Sequence, residues 1–392
     1  MNNKQKLILP VIVIAQFLCT SLWFAGNAVA PDLVISFNLP VSALGHIASA
    51  VQFGFISGTL VYASLMIADR FSSSTVFLVS AVLAAFSNLG ILFEGQTINS
   101  ILTFRFLTGF FLAGIYPVGM KIASDHFEKG LGKALGFLVG ALVIGTAFPH
   151  LLRSITASVS WKMVLILTAA LSTTGGILMK LTVAGVALHK KNQSLHFKGV
   201  LGAFSNKPFR SAAFGYFGHM WELYTFWAFV PVMLLTYKNM HAETNLHISF
   251  WAFWIIALGG LACVLSGYLS QRFGTKQTAF AALFLSGCCC LLSPLAFYLP
   301  TILFICFLIF WGLVVIADSP LFSTLVAQNV PVQIKGTALT MVTCIGFSIT
   351  IVSIELLNYL GRHFNTPLIY LVLAIGPFTG ILHMFVKDRK PV

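Results

Sequence analysis

Long apolar segments separated by short polar ones run along the whole chain. They lie at about 8–33, 43–67, 75–93, 98–121, 133–152, 161–187, 210–236, 247–269, 277–298, 300–325, 336–360 and 366–386. A helix of about 20 apolar residues is long enough to cross the ~30 Å hydrocarbon core of a bilayer. The pattern therefore predicts an all-α integral membrane protein with twelve transmembrane helices and little chain outside the membrane.

The first apolar segment follows two lysines, as the apolar part of a secretory signal peptide would. At residues 7–33 it is longer than the roughly 7 to 15 apolar residues of such a peptide. Gln16, Asn27 and Asp32 also interrupt it. We therefore expect a retained first transmembrane helix.

One longer polar and basic connection, at about 188–209, divides the apolar segments into six and six. We interpret it as a solvated cytoplasmic linker rather than a specific binding site for anionic lipid. The sequence thus predicts an N-terminal six-helix bundle at 1–187, a linker at 188–209 and a C-terminal six-helix bundle at 210–392.

The two predicted halves repeat one another. Residues 67–71 (Ile-Ala-Asp-Arg-Phe) match 269–273 (Leu-Ser-Gln-Arg-Phe) at an offset of 202, and Pro117 matches Pro320 at an offset of 203. Residues 132–135 (Gly-Lys-Ala-Leu) match 336–339 (Gly-Thr-Ala-Leu) at an offset of 204. Internal repeats of this kind are typical of secondary transporters.

Composition and charge agree with a membrane location. The chain is 58% hydrophobic and 8% charged, whereas soluble proteins are about 25% charged. The net charge of +13 does not indicate nucleic-acid binding, because eighteen of the 23 Lys and Arg residues fall on the termini and alternate loops. By the positive-inside rule, both termini are predicted in the cytoplasm and the protein in the inner (plasma) membrane.

Three motifs resemble those of the major facilitator superfamily. The family's loop signature, Gly-x-Leu-Ala-Asp-Arg-x-Gly-Arg-Lys, has its counterpart at 267–276 (Gly-Tyr-Leu-Ser-Gln-Arg-Phe-Gly-Thr-Lys). In the first half Ala68-Asp69-Arg70 remain, but Ser72-Ser73-Ser74 replace the last three residues. The fourth-helix pattern Arg-x-x-x-Gly is present at 105–109.

The resemblance, to a bacterial type of unidentified subfamily, implies two pseudo-symmetric six-helix bundles and transport by alternating access. It also assigns a gating role to the loop residues Asp69, Arg70, Gly267, Arg272 and Gly274. The Gly-Pro-x-x-Gly-Gly element of drug antiporters is absent from 140–150, which slightly favours import over export.

Arg105 is the strongest candidate for binding a substrate. A guanidinium stays charged within the membrane and offers paired donors to a carboxylate or phosphate. The alternative is a structural role in which helix carbonyls or a buried partner occupy it. Other candidate substrate-binding residues, chosen for polar or aromatic side chains in the spans, are Asn27, Gln16, Trp23, Tyr116, Tyr224 and Trp227.

His219, Glu222 and Asp318 are the candidates for proton coupling. His219 and Glu222 are three residues apart and share a helix face, about 18 Å into the membrane at Glu222. An imidazole changes charge near neutral pH, so the pair could load a proton. Asp318 adjoins Pro320, where a helix break could act as a hinge. A static buried hydrogen bond and a structural proline kink are the alternatives.

These features predict a proton-coupled symporter of a small organic anion or zwitterion. The alternative transporter is a proton-driven exporter of amphipathic or siderophore-like compounds. A membrane enzyme or receptor is a distant alternative, because no nucleophile–base spacing or phosphate-binding loop is present. We expect a monomer in contact with membrane lipid, without cofactor or metal, because all seven cysteines lie in apolar segments.

Overall fold

The computed structural model describes residues 3–40, 42–127, 131–156, 160–183, 197–331 and 334–385. Residues 188–196 of the predicted linker lie outside this range. So do six of the basic residues used to orient the chain, Lys129, Lys190, Lys191, Lys387, Arg389 and Lys390.

Within the described residues the regular elements are all helices, which confirms the all-α prediction. In the N-terminal part they are α1 (Asn3–Thr20), α2 (Ala25–Ala28), α3 (Ala30–Ser36), α4 (Ala43–Ser64), α5 (Ile67–Arg70), α6 (Ser73–Leu89), α7 (Ile98–Leu112), α8 (Tyr116–His126), α9 (Leu131–Ile155) and α10 (Lys162–Thr182). They continue as α11 (Phe197–Ala203), α12 (Lys207–Met240), α13 (Ile248–Ala257), α14 (Gly259–Phe273), α15 (Thr275–Ala296), α16 (Thr301–Ala317), α17 (Ser319–Gln328), α18 (Lys335–His363) and α19 (Ile375–Phe385). Short 3₁₀ helices cover Gly90–Leu92 and Pro367–Ala374.

Ten helical segments of the described chain are long and apolar enough to cross a membrane. They coincide with ten of the twelve predicted spans. The seventh predicted span lies inside α12. The first predicted span corresponds to α1, α2 and α3, and its apolar helical part, Leu7–Thr20, is shorter than the ten segments above. A multi-pass membrane protein is thus confirmed, and the count of twelve crossings stays a prediction.

The chain forms two compact units. Unit 1 contains Met1–Lys191 and Ala228–Leu261, and unit 2 contains Asn192–Trp227 and Ala262–Val392. Helix α12 therefore begins in unit 2 and ends in unit 1. The bundle boundaries predicted from the sequence stay a prediction.

At least four of the predicted spans are interrupted, the eighth of them at Leu258 between α13 and α14. The first is interrupted by the turn at 21–24, between α1 and α2. In the fourth and tenth, Pro117 and Pro320 stand in the first turns of α8 and α17. Proline has no N–H with which to continue a preceding helix, but it fits the first turn of a new one. The paired prolines of the repeat thus mark paired helix breaks.

Glycines bring α4 and α7 of unit 1 into backbone contact. A Cβ added to Gly54 would lie 2.0 Å from the carbonyl oxygen of Phe106, and one added to Gly109 would lie 2.0 Å from that of Val51. Only glycine fits at such distances. This packing by small residues is typical of helices that associate within a membrane.

Candidate functional site

Glu222 lies on α12 in unit 2 and is fully buried. Its Oε1 accepts a hydrogen bond from Nε1 of Trp311 at 2.6 Å, and its Oε2 accepts one from Oγ of Ser286 at 2.7 Å. Among the described residues, no Lys, Arg or His nitrogen lies within 4.0 Å of this carboxylate. Two neutral donors therefore fix its position without balancing a charge on it.

His219, one turn earlier on α12, pairs with Asp318. Its Nδ1 lies 2.7 Å from Oδ1 of Asp318, and each side chain is only 1% exposed. Neither ring nitrogen of His219 and neither carboxylate oxygen of Asp318 has a hydrogen-bond partner within the described chain, so the contact is a close ion pair and not a well-formed hydrogen bond. The rings of Tyr216 and Phe322 lie beside the imidazole, at centroid distances of 6.0 and 6.3 Å.

This arrangement corrects the pairing expected between His219 and Glu222. Side chains three residues apart on a helix differ in direction by about 60°. Glu222 is directed to donors on α15 and α16, whereas His219 is directed to the start of α17. The structure thus brings His219 together with Asp318 and keeps Glu222 in a separate hydrogen-bonded cluster.

Arg105 lies on α7 in unit 1 and is fully buried. Its Nη1 donates to the carbonyl oxygen of Leu22 at 3.2 Å, and its Nη2 donates to that of Trp23. Both carbonyls belong to the turn after α1, where helical hydrogen bonding is interrupted. Gly26 leaves room for the guanidinium, because a Cβ there would lie 2.8 Å from Nε. Two nitrogens of the guanidinium therefore have a structural role, because they are occupied by backbone carbonyls, which was the alternative to substrate binding.

The rest of the Arg105 guanidinium is not satisfied. Its Nε has no hydrogen-bond partner, and no carboxylate of the described chain lies within 4.0 Å of its nitrogens. A buried cation without an anion is costly. Arg105 can therefore still bind an anionic group.

Several other polar side chains buried in unit 1 also have atoms without hydrogen-bond partners among the described residues. An unsatisfied buried polar group costs about 1–3 kcal/mol, so each such group is a candidate to bind water or a polar ligand. Gln16 has both side-chain polar atoms in this state. The others include Asn27, Gln52, Thr146 and His150.

The sequence alone does not single out Gln52 and Thr146. Both stand in apolar segments, where an uncharged polar residue is a weak signal in the sequence. What distinguishes them is the lack of hydrogen-bond partners around their buried polar atoms, which depends on packing.

The predicted aromatic residues take part in buried packing. Trp23 packs against Phe55 at a centroid distance of 4.8 Å in unit 1. In unit 2, Tyr224 packs against Trp227 at 5.2 Å and against Phe347 at 5.0 Å. Tyr116, at the first position of α8, is partly buried. Substrate binding by these side chains stays a prediction.

The loop motif of the first half contains a small ion network. Nζ of Lys121 lies 3.4 Å from Oδ1 of Asp69 and 3.3 Å from Oδ2 of Asp125. Arg70 is exposed. The network connects α5 to α8, so it could respond to movement of either helix.

The loop motif of the second half is built differently. Gly274 has a φ of +90° and precedes the first residue of α15, whereas Gly267 has open space at its Cβ position. The guanidinium of Arg272 lies 5.3 Å from the ring centre of Phe273. The gating role of these residues stays a prediction.

Comparison with known proteins places the chain among transporters. The family model of the Major Facilitator Superfamily matches residues 12–354. A crystal structure of the nucleoside transporter NupG is similar with a TM-score of 0.73 and 16% sequence identity, over 96% of this chain and 98% of that one. An inward-facing, unoccupied bacterial homolog of the human lysosomal transporter Spinster is similar with a TM-score of 0.67 and 14% identity, over 98% and 95%. At these identities the two structures bear on the fold alone.

Proposed function

The chain belongs to the major facilitator superfamily and is therefore a membrane transporter and not an enzyme, and we propose on that premise that it moves a small organic anion or zwitterion together with protons. The observation that carries the proposal is the set of buried ionisable groups. Such groups are costly within a membrane and commonly mark pathways for substrate or protons.

Proton coupling is supported by unit 2. Glu222 and Asp318 are both buried, and the only basic nitrogen within 4.0 Å of either, among the described residues, belongs to His219. A proton that binds here changes the charge of a site with no fixed cation. Such a change can favour one conformation of a transporter over another.

An anionic or zwitterionic substrate is supported by unit 1. Arg105 carries a buried charge, uses two of its nitrogens on carbonyls and keeps Nε available. A guanidinium binds carboxylates and phosphates through paired hydrogen bonds. We propose symport across the inner (plasma) membrane by a monomer with both termini in the cytoplasm, in line with the distribution of basic residues.

A neutral polar solute such as a nucleoside is the second candidate. It is favoured by the unpaired amides of Gln16 and Gln52, which can donate to and accept from the edge of a base. One of the similar structures is of a nucleoside transporter.

A ligand screen separates the two candidates. The purified protein would be melted in the presence of organic anions, zwitterions and nucleosides, since a ligand stabilises the state that it binds. Wild type and Arg105→Gln would be compared. Stabilisation by anions that is lost in the variant supports the first candidate, and stabilisation by nucleosides that persists in the variant supports the second.

Coupling would then be measured in liposomes with the ligand so found. Accumulation driven by a more acidic exterior supports symport, whereas expulsion driven by the same gradient supports a proton-driven exporter. Transport that is unaffected by an imposed pH gradient would contradict proton coupling. Glu94→Gln, which changes an exposed carboxylate, is the matched control for variants of Glu222 and Asp318.

A further inference from the structure

A cavity of about 450 Å³ lies in unit 2 at the beginning of α12. Residues from α12, α15, α17 and α19 line it. The lining includes the cationic residues Lys207, Arg210 and Lys276 and the polar residues Ser211, Gln328 and Asn329. None of these belongs to the groups assigned above to substrate or protons.

The three cations are not neutralised within the described chain. No carboxylate lies within 4.0 Å of any of them. Arg210 donates one hydrogen bond, from Nη1 to the carbonyl oxygen of Phe204 at 3.3 Å. Three positive charges therefore face one cavity with most of their donors available.

The internal repeat allows this region to be compared with the ion network of the first half. In the first half, Lys121 contacts Asp69 and Asp125. The offset of 202 places Gln271 at the position of Asp69, and the offset of 203 places Gln328 at that of Asp125. Both carboxylates of the first-half network are thus replaced by uncharged amides and Lys121 by Thr324, so the second half has no counterpart of that network, and Gln328 lines the cavity.

We propose that this cavity binds a phosphate-bearing anion, held by Arg210, Lys207 and Lys276. Arg can engage phosphate oxygens through two parallel hydrogen bonds, and Lys binds phosphate as a compact charge. The amino end of α12 also faces the cavity, where the partial positive charge of a helix start favours an anion. The volume lies within the range of small-molecule sites.

Two sources can supply this chemistry, the headgroup of an anionic phospholipid and a soluble phosphate. The site lies at the end of α12 that the basic residues place on the cytoplasmic side, where anionic lipid attracts juxtamembrane cations. The experiment therefore includes one arm for each source.

In the first arm, the full-length protein in phosphatidylcholine nanodiscs would be titrated with inorganic phosphate, and the melting temperature would be compared with that in sodium chloride of equal ionic strength. In the second arm, phosphatidylglycerol would replace part of the phosphatidylcholine, and native mass spectrometry would count retained phosphatidylglycerol. Each arm would use wild type, Lys276→Gln, the double variant Arg210→Gln/Lys276→Gln, and Lys238→Gln as a control cation at the other end of α12.

We expect the affinity for the anion to fall about tenfold for each cation removed, because charge-assisted hydrogen bonds are the stronger ones. Lys238→Gln should behave as wild type. Stabilisation by phosphate supports a soluble ligand, and retention of phosphatidylglycerol alone supports a lipid headgroup. Lys276 is exposed, so its single variant remains informative if the double variant does not fold.

The proposal is overturned if phosphate does not stabilise wild type beyond the chloride control and wild type retains no phosphatidylglycerol. It is also overturned if the folded Lys276→Gln and double variants are stabilised by phosphate, or retain phosphatidylglycerol, to the same extent as wild type. Neither outcome depends on substrate transport, so the result is independent of the function proposed above.

Discussion

Nδ1 of the His219 imidazole lies 2.7 Å from Oδ1 of Asp318, in a pair that is almost completely buried. Asp318 is the residue at which α16 ends and α17 begins. A change of charge in this pair therefore acts at a helix break, where backbone groups are not all held by helical hydrogen bonds. Breaks of this kind are places where a helix can bend.

Substitution Asp318→Asn tests whether this pair couples protons to transport. Asn is similar in size to Asp but cannot ionise, so we expect accumulation driven by a pH gradient to fall at least about tenfold, within the range typical of losing the coupling between two sites. Exchange of ligand across liposomes without a gradient should continue. Accumulation equal to that of wild type, with Glu94→Gln also normal, would show that Asp318 is not needed for coupling.

Two substitutions of Glu222 separate its structural contribution from its charge. Glu222→Ala removes the acceptor of both Trp311 and Ser286, and each lost partner should cost about 1–3 kcal/mol. Glu222→Gln keeps a carbonyl acceptor for Trp311, so it should melt close to wild type but lose gradient-driven transport. Equal melting temperatures for the Ala and Gln variants would contradict this account of the hydrogen bonds.

Arg105→Lys and Gly26→Ala test the guanidinium in complementary ways. Lys keeps the charge but cannot donate to the Leu22 and Trp23 carbonyls as Arg does, and Ala at 26 would place a methyl group 2.8 Å from Nε of Arg105. We expect each to weaken binding of an anionic ligand about tenfold.

Titration calorimetry on folded protein provides the measurement, and Arg362→Lys at the exposed end of α18 is the control. If the folded variants bind the ligand as tightly as wild type, Arg105 serves only to stabilise the turn after α1.

The positions of the membrane helices could be predicted because hydropathy is a property of each segment alone. The breaks at Pro117 and Pro320 could be anticipated from proline together with the internal repeat, which pairs the two positions. Proline alone is not sufficient, because Pro149, Pro231 and Pro294 lie inside continuous helices. The break after Thr20 could not be anticipated, because residues 21–25 are mostly apolar and contain no proline. It depends on Arg105, 83 residues after Leu22 in the chain, which binds the released carbonyls.

Partners within the candidate site depend on packing and were harder to predict. Ser286 and Trp311 are common residue types in apolar segments, and nothing in their sequence context indicates that both donate to Glu222. The separation of His219 from Glu222 likewise depends on where α15, α16 and α17 lie around α12. The sequence could therefore identify the ionisable residues but not assign their pairs.

The contact between α4 and α7 predicts a large effect of a small substitution. Alanine at Gly54 or Gly109 would place its methyl group 2.0 Å from a backbone oxygen, so the two helices must separate. Overpacking of this kind costs about 1–3 kcal/mol or more. Thermal melting should show a clear decrease for both variants, whereas Gly136→Ala, where the Cβ position is open, should leave the melting temperature near that of wild type.

The two glycines of the second loop motif should respond differently to alanine. Gly274 has a φ of +90°, a conformation that costs an L-residue about 1–2 kcal/mol. Gly267 lies within α14 with nothing near its Cβ position, and alanine is a better helix former than glycine by up to about 1 kcal/mol.

We therefore expect Gly274→Ala to lower the melting temperature and Gly267→Ala to maintain or raise it. Equal losses of stability would contradict the assignment of backbone strain to Gly274. Transport measured on the same two proteins adds a test of gating. Slow transport by Gly274→Ala would be explained by backbone strain alone, so Gly267→Ala is the informative variant. If Gly267→Ala is stable but transports slowly, the glycine is needed in a conformation other than this one, as expected of a gating residue in a transporter that alternates between conformations.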